Sequence, residues 1–68
     1  MTYILCPDDF ELRQSIVGTS EADVVSTFVT LHGFVSCTLF KSYYDTLSSA
    51  IYVRRFSASQ LRKFIIRY

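Results

Sequence analysis

The 68-residue sequence predicts a small single α+β domain, an antiparallel sheet of four strands with two helices packed on one face. Three observations predict it. Three short segments alternate apolar and polar residues and a fourth is a short apolar run of strand formers, two others gather apolar residues on one helical face, and turn or capping residues separate them. The order is β-β-α-β-β-α, with a three-stranded sheet as the alternative if residues 10–17 are not a strand.

The chain opens on Thr2, Tyr3, Ile4, Leu5 and Cys6, a short apolar run of good strand formers, and Pro7, Asp8 and Asp9 supply turn chemistry. Residues 10–17 alternate Phe10, Leu12 and Ile16 against Glu11, Arg13 and Ser15, as a strand with one buried face does. A helix would scatter Phe10 and Leu12 to opposite sides. The first two strands thus form a hairpin.

Residues 18–33 change period. Ser20 with Asp23 three residues on reads as a capping box, and Glu21 and Asp23 suit a helix N-terminus. Val24, Phe28 and Leu31 share a stripe widened by Val25 and Val29, and His32 with Gly33 makes a helix end. The β-branched residues weaken helix propensity. The period still favours a helix.

Residues 34–41 alternate Val35, Cys37 and Leu39 against Ser36 and Thr38, giving a third strand, and residues 42–47 form a loop around Asp45. Residues 48–56 alternate Ala50, Tyr52, Arg54 and Phe56 against Ile51, Val53 and Arg55, the partner strand of a second hairpin. The last segment is the clearest. Ser57 and Gln60 form an S-x-x-Q capping box; Leu61, Phe64, Ile65 and Tyr68 share one helical face, and Arg62, Lys63 and Arg67 the opposite one. Two similar ββα halves result, with Val24/Leu61, Phe28/Ile65 and Leu31/Tyr68 in corresponding places.

A chain this short buries only about 60% of the surface it exposes unfolded. Its eleven Phe and Tyr residues let a small core close, and its apolar half excludes a disordered chain. The longest uncharged run, Val24 to Phe40, contains Ser26, Thr27, Thr30, His32, Gly33 and Ser36 and is too short and too polar to read as a membrane span. The N-terminus lacks the basic and apolar regions of a signal peptide. A soluble cytoplasmic protein with reduced cysteines is the expectation.

Little points to chemistry. His32 beside an apolar stripe reads as a packed or capping histidine, not a general base. Cys6 and Cys37 lack C-x-x-C spacing, and with His32 they fall one ligand short of a closed zinc site. They read as small buried apolar groups, though a disulfide becomes feasible if their strands are neighbours. Asp8, Asp9 and Glu11 suit a turn and a solvated strand face, and two glycines make no phosphate loop. The expectation is a non-enzymatic protein without cofactor or metal.

The charge layout is more informative. Net charge is +1, but residues 1–34 carry five acids against Arg13, a net of −4, and residues 35–68 carry six bases against Asp45, a net of +5. The basic residues Arg54, Arg55, Arg62, Lys63 and Arg67 crowd the C-terminal segment. An amphipathic helix explains much of that cluster. Ile66 does not fit so easily, because it falls among Arg62, Lys63 and Arg67 on the outward arc, as an apolar anchor inside a polar rim does. Tyr43 and Tyr44, adjacent in a loop, add contact surface typical of interfaces.

The expected partner-binding set is therefore Arg54, Arg55, Arg62, Lys63, Ile66, Arg67, Tyr43 and Tyr44, facing a protein with an acidic surface. Stoichiometric inhibitors or modulators of larger machines, such as those encoded by phages and mobile elements, have this profile. A nucleic acid is the second candidate partner, disfavoured by near-neutral charge and by the lack of any RNP, KH, zinc-finger or helix-turn-helix pattern. A homodimer pairing the Thr2–Cys6 strand or another sheet edge is the third.

Overall fold

The computed structural model describes residues 1–9, 14–43 and 49–66. Strands β1 (Thr2–Pro7) and β2 (Ile16–Gly18) lead into helix α1 (Glu21–His32); strands β3 (Cys37–Ser42) and β4 (Ile51–Phe56) lead into helix α2 (Ala58–Ile66). This is the order the periodicities predict, and the four strands form one antiparallel sheet. Among the described residues the second strand is Ile16–Gly18, pairing opposite Leu5, Ile4 and Tyr3, and Gln14 and Ser15 lie before it. Phe10, Glu11, Leu12 and Arg13 lie outside the described residues.

The strand order β2-β1-β3-β4 gives each ββα half one inner and one outer strand. The Thr2–Cys6 run is therefore no sheet edge, since β1 is hydrogen-bonded on both sides. Its composition explains the placement. Ile4 and Leu5 point to opposite faces and are both buried, and a strand apolar on both faces is best covered in a sheet interior.

Leu5, Ile16, Cys37, Leu39 and Phe56 from the sheet join Val24, Val25 and Phe28 of α1 and Leu61 of α2 in one core. Both helices thus cover the same face. The opposite face carries the alternate residues: Val17, Ile4, Phe40 and Tyr52 form a cross-strand row, and Cys6, Thr38 and Arg55 another.

Local chemistry sets the helix ends. Ser20 Oγ accepts from the Asp23 N–H at 3.2 Å, and Gly33, at φ 81°, donates its N–H to the Val29 carbonyl at 2.9 Å. Thr30 settles its hydroxyl on the Ser26 carbonyl at 3.0 Å, which reconciles one β-branched residue with helix. At Ser57 the capping box is reciprocal: the Ser57 N–H donates to Gln60 Oε1 at 2.8 Å, and the Gln60 N–H to Ser57 Oγ at 3.3 Å. Gly18 has a packing reason, because a Cβ there would meet Val24 Cγ1 at 2.9 Å.

Two expectations are corrected. The helical stripe predicts a buried Leu31 in α1, yet the residue is 51% exposed. The groove between the helices runs along Ala22, Asp23 and Ser26, and Leu31 lies about 140° round the helix from Ser26, beyond the cover of α2. The second correction concerns β4, whose strict alternation fails at a β-bulge where the register shifts between Leu39 and Phe40. Val53 packs on the core and Arg54 lies over the Phe56 ring, so consecutive residues share the helix side. Tyr52, grouped by alternation with Arg54 and Phe56, instead meets the Phe40 ring on the uncovered side.

Candidate functional site

The described basic residues of the C-terminal segment do not form one surface. Arg54 and Arg55 leave β4 on opposite faces. On the helix side, Arg54 Nη2 donates to Glu21 Oε1 at 2.7 Å, and its guanidinium lies 4.4 Å from the Phe56 ring centre and 5.5 Å from that of Phe64. The residue thus ties β4 to the first turn of α1 and to α2. Both partners keep partial solvent contact, so the ion pair itself stabilises by about 1 kcal/mol at most.

On the uncovered side, Arg55 Nε donates to Asp8 Oδ2 at 2.7 Å, and Thr38 Oγ1 to Asp8 Oδ1 at 2.9 Å. Partial burial pushes the Asp8 carboxyl pKa up, but the Arg55 hydrogen bond, the Thr38 hydrogen bond and the arginine's charge outweigh it. The carboxyl is held below its ordinary 3.8. Pro7 and Asp8 place this carboxylate where β1 ends, and the Asp8 N–H on the Ser36 carbonyl holds the turn at 3.1 Å.

Helix α2 carries the remaining charge. Leu61 is fully buried and Phe64 and Ile65 are partly so, which turns Arg62, Lys63 and Ile66 outward. Ile66 is 82% exposed. Arg62 stacks over the Phe34 ring at 5.2 Å, and neither Arg62 nor Lys63 forms an ion pair with a described acid. Tyr43 follows the last residue of β3 and is 71% exposed. Tyr44, Asp45, Arg67 and Tyr68 lie outside the described residues.

The structure therefore brings Arg62, Lys63 and Ile66 together on one helix face, places Tyr43 on a separate element, and gives Arg54 and Arg55 acidic partners within the chain. Sequence reasoning identified the cations but not Glu21, Asp8 or Phe34 as what they meet. The −4 and +5 halves were the available signal, because opposite charge on two halves of one small domain favours internal pairing.

The residues read as chemically quiet sit in ordinary structural contacts. His32 packs edge-on against Phe28 at 4.9 Å, and its Nε2–H donates to the Gln14 carbonyl at 3.1 Å. Cys6 and Cys37 are on neighbouring strands but face opposite sides of the sheet, so no disulfide joins them and both thiols are free. Cys6 Sγ accepts from Ser15 Oγ at 3.3 Å. Burial, with the nearby Asp8 charge, pushes the Cys37 thiol up to about 12, which leaves it protonated and inert at neutral pH. Among the described residues no three His, Cys, Asp or Glu side chains converge, and no helix is long and apolar enough to cross a membrane.

The chain matches no protein-family model, no curated protein and no solved structure. The site's own geometry is what a functional reading must rest on.

Proposed function

We propose that this protein is a non-enzymatic binding module that docks on an acidic protein surface through the outward face of α2. Ile66 is the apolar anchor, Arg62 and Lys63 form the charged rim, and Tyr43 is a secondary contact. The exposure of Ile66 carries this reading: a large β-branched side chain 82% open to water, beside two cations without acidic partners among the described residues. Hydrophobic anchors ringed by polar groups are where interface energy concentrates. Charge complementarity sets the partner's sign and speeds encounter. A bound partner of this kind makes the protein a stoichiometric inhibitor or modulator.

A nucleic-acid partner is the weaker reading. Phosphate binding needs several free cations, whereas Arg54 and Arg55 each hold a carboxylate at 2.7 Å. Affinity capture from native lysate, with and without nuclease, tests both readings with wild type, Ile66→Glu and Arg62→Glu. The expected result is one protein captured by wild type regardless of nuclease and lost in both variants, whose folds circular dichroism finds unchanged. Equal capture by all three chains rules out the α2 face, and nuclease-sensitive capture favours the nucleic-acid reading.

A further inference from the structure

We infer that Arg62 takes an Asp or Glu carboxylate of the acidic partner side-on, and that Phe34 is the residue that positions it. The inference rests on docking through α2 and names what that face recognises. The chain builds the full arrangement once within its own fold. Arg54 lies 4.4 Å from the Phe56 ring centre and donates from Nη2 to Glu21 Oε1 at 2.7 Å. Arg62 repeats the first half, 5.2 Å from the Phe34 ring centre, with no acid among the described residues to complete the second. The missing member is a carboxylate, and an acidic partner surface supplies one.

Ring and cation stand on two separately anchored elements. Phe34 lies in the connection from α1 to β3, and the backbone on either side of it is fixed. The Gly33 N–H donates to the Val29 carbonyl at 2.9 Å, the Val35 N–H donates to the Gly33 carbonyl at 3.1 Å, and Val35 packs against the core. The ring itself stays 38% exposed. On α2, the fully buried Leu61 holds the backbone from which Arg62 leaves.

At an exposed site, a cation over an aromatic ring favours that arrangement about two- to fivefold. This is too little to hold a fold together. It is enough to orient the guanidinium before a partner arrives, which lowers the ordering cost of binding. The ring engages the cation through its π face and leaves the N–H donors free, and a planar fork meets a carboxylate with two parallel hydrogen bonds. Lys63 has no fork, and among the described residues no ring lies beneath it, so it contributes charge alone. Ile66 stands one helical turn from Arg62 on the same face, so the recognised carboxylate borders the partner's apolar contact.

The probe is the protein that wild type captures, purified and titrated calorimetrically against the full chain. Phe34→Leu keeps an apolar group but removes the π face, and is expected to weaken binding about two- to fivefold, whereas Phe34→Tyr binds as wild type. Arg62→Lys keeps the charge but loses the fork, and is expected to weaken binding about tenfold. In that background Phe34→Leu is expected to add less than about twofold, because the ring acts through the guanidinium. Equal affinities of Phe34→Leu and Phe34→Tyr, unchanged affinity of Arg62→Lys, or full additivity of Phe34→Leu with Arg62→Lys overturns the inference. Loss of binding in Ile66→Glu shows that docking itself still stands in those cases. Binding that survives Ile66→Glu, or no protein captured by wild type, removes the docking reading and this inference with it.

Discussion

Helix α1 starts at a Ser20 cap and buries Val24, Val25 and Phe28, whereas α2 starts at a Ser57 cap and completely buries only Leu61. The first is rich in β-branched residues, which lower helix propensity, and gains its conformation from what it covers. The second spans nine residues, too few to be stable alone, and relies on a reciprocal cap and one apolar stripe. A helix held by a broad buried face has little surface to offer. A helix held by its cap and a narrow stripe can keep a whole arc outside, and Ile66 sits there.

The widest separation between the helices is expected in their cores. Phe28→Ala removes a fully buried ring from the middle of α1 and is expected to cost about 3–5 kcal/mol in urea unfolding, at the edge of what so small a domain withstands. Ile66→Glu is expected to change stability by less than about 0.5 kcal/mol, the scale of exposed surface substitutions. A large loss from Ile66→Glu would mean that α2 has no free outer arc.

Next comes the contact between α1 and its preceding strand. Gly18→Ala drives a methyl to 2.9 Å from Val24, a stiff branched side chain, and is expected to cost about 1–3 kcal/mol. Caps come third. Ser57→Ala is expected to cost about 1 kcal/mol, and a double-mutant cycle with Gln60→Ala should show coupling, because each residue bonds the other's backbone. Ser20→Ala is expected to cost a similar amount through its bond from the Asp23 N–H.

A small, pH-dependent effect lies in the ion pair that fastens β4 to the turn after β1. The folded-state pKa of Asp8 is depressed, so its stabilising effect is complete above its ordinary value of 3.8 and is lost as pH falls through the lower folded value. Asp8→Asn is expected to flatten that acid limb and to cost at most about 1 kcal/mol at neutral pH, as suits a solvent-accessible pair. Unfolding midpoints measured between acid and neutral pH check both the sign and the size.

Much of the architecture is legible in the sequence because it is encoded locally. The Ser57–Gln60 box, the Leu61–Phe64–Ile65 stripe, the Ser20 cap and the Gly33 stop each involve residues a turn or less apart, and all appear where expected. The candidate site was legible only in part. Ile66 and its flanking cations could be placed outward from helical period alone, but Arg54 and Arg55 could not be assigned, since their partners lie 33 and 47 residues away.

The sequence by itself determined the element order, the helix caps and which face of α2 is wet, because each follows from the repeat distance and hydrogen-bonding needs of a single segment. Only the tertiary structure decided that β1 is interior, that Leu31 lies beyond the cover of α2 and that the bulge reverses the face of Tyr52. It also decided that two arginines serve the fold's own carboxylates. Strand neighbours and ion partners depend on which distant surfaces meet, and no local period carries that information.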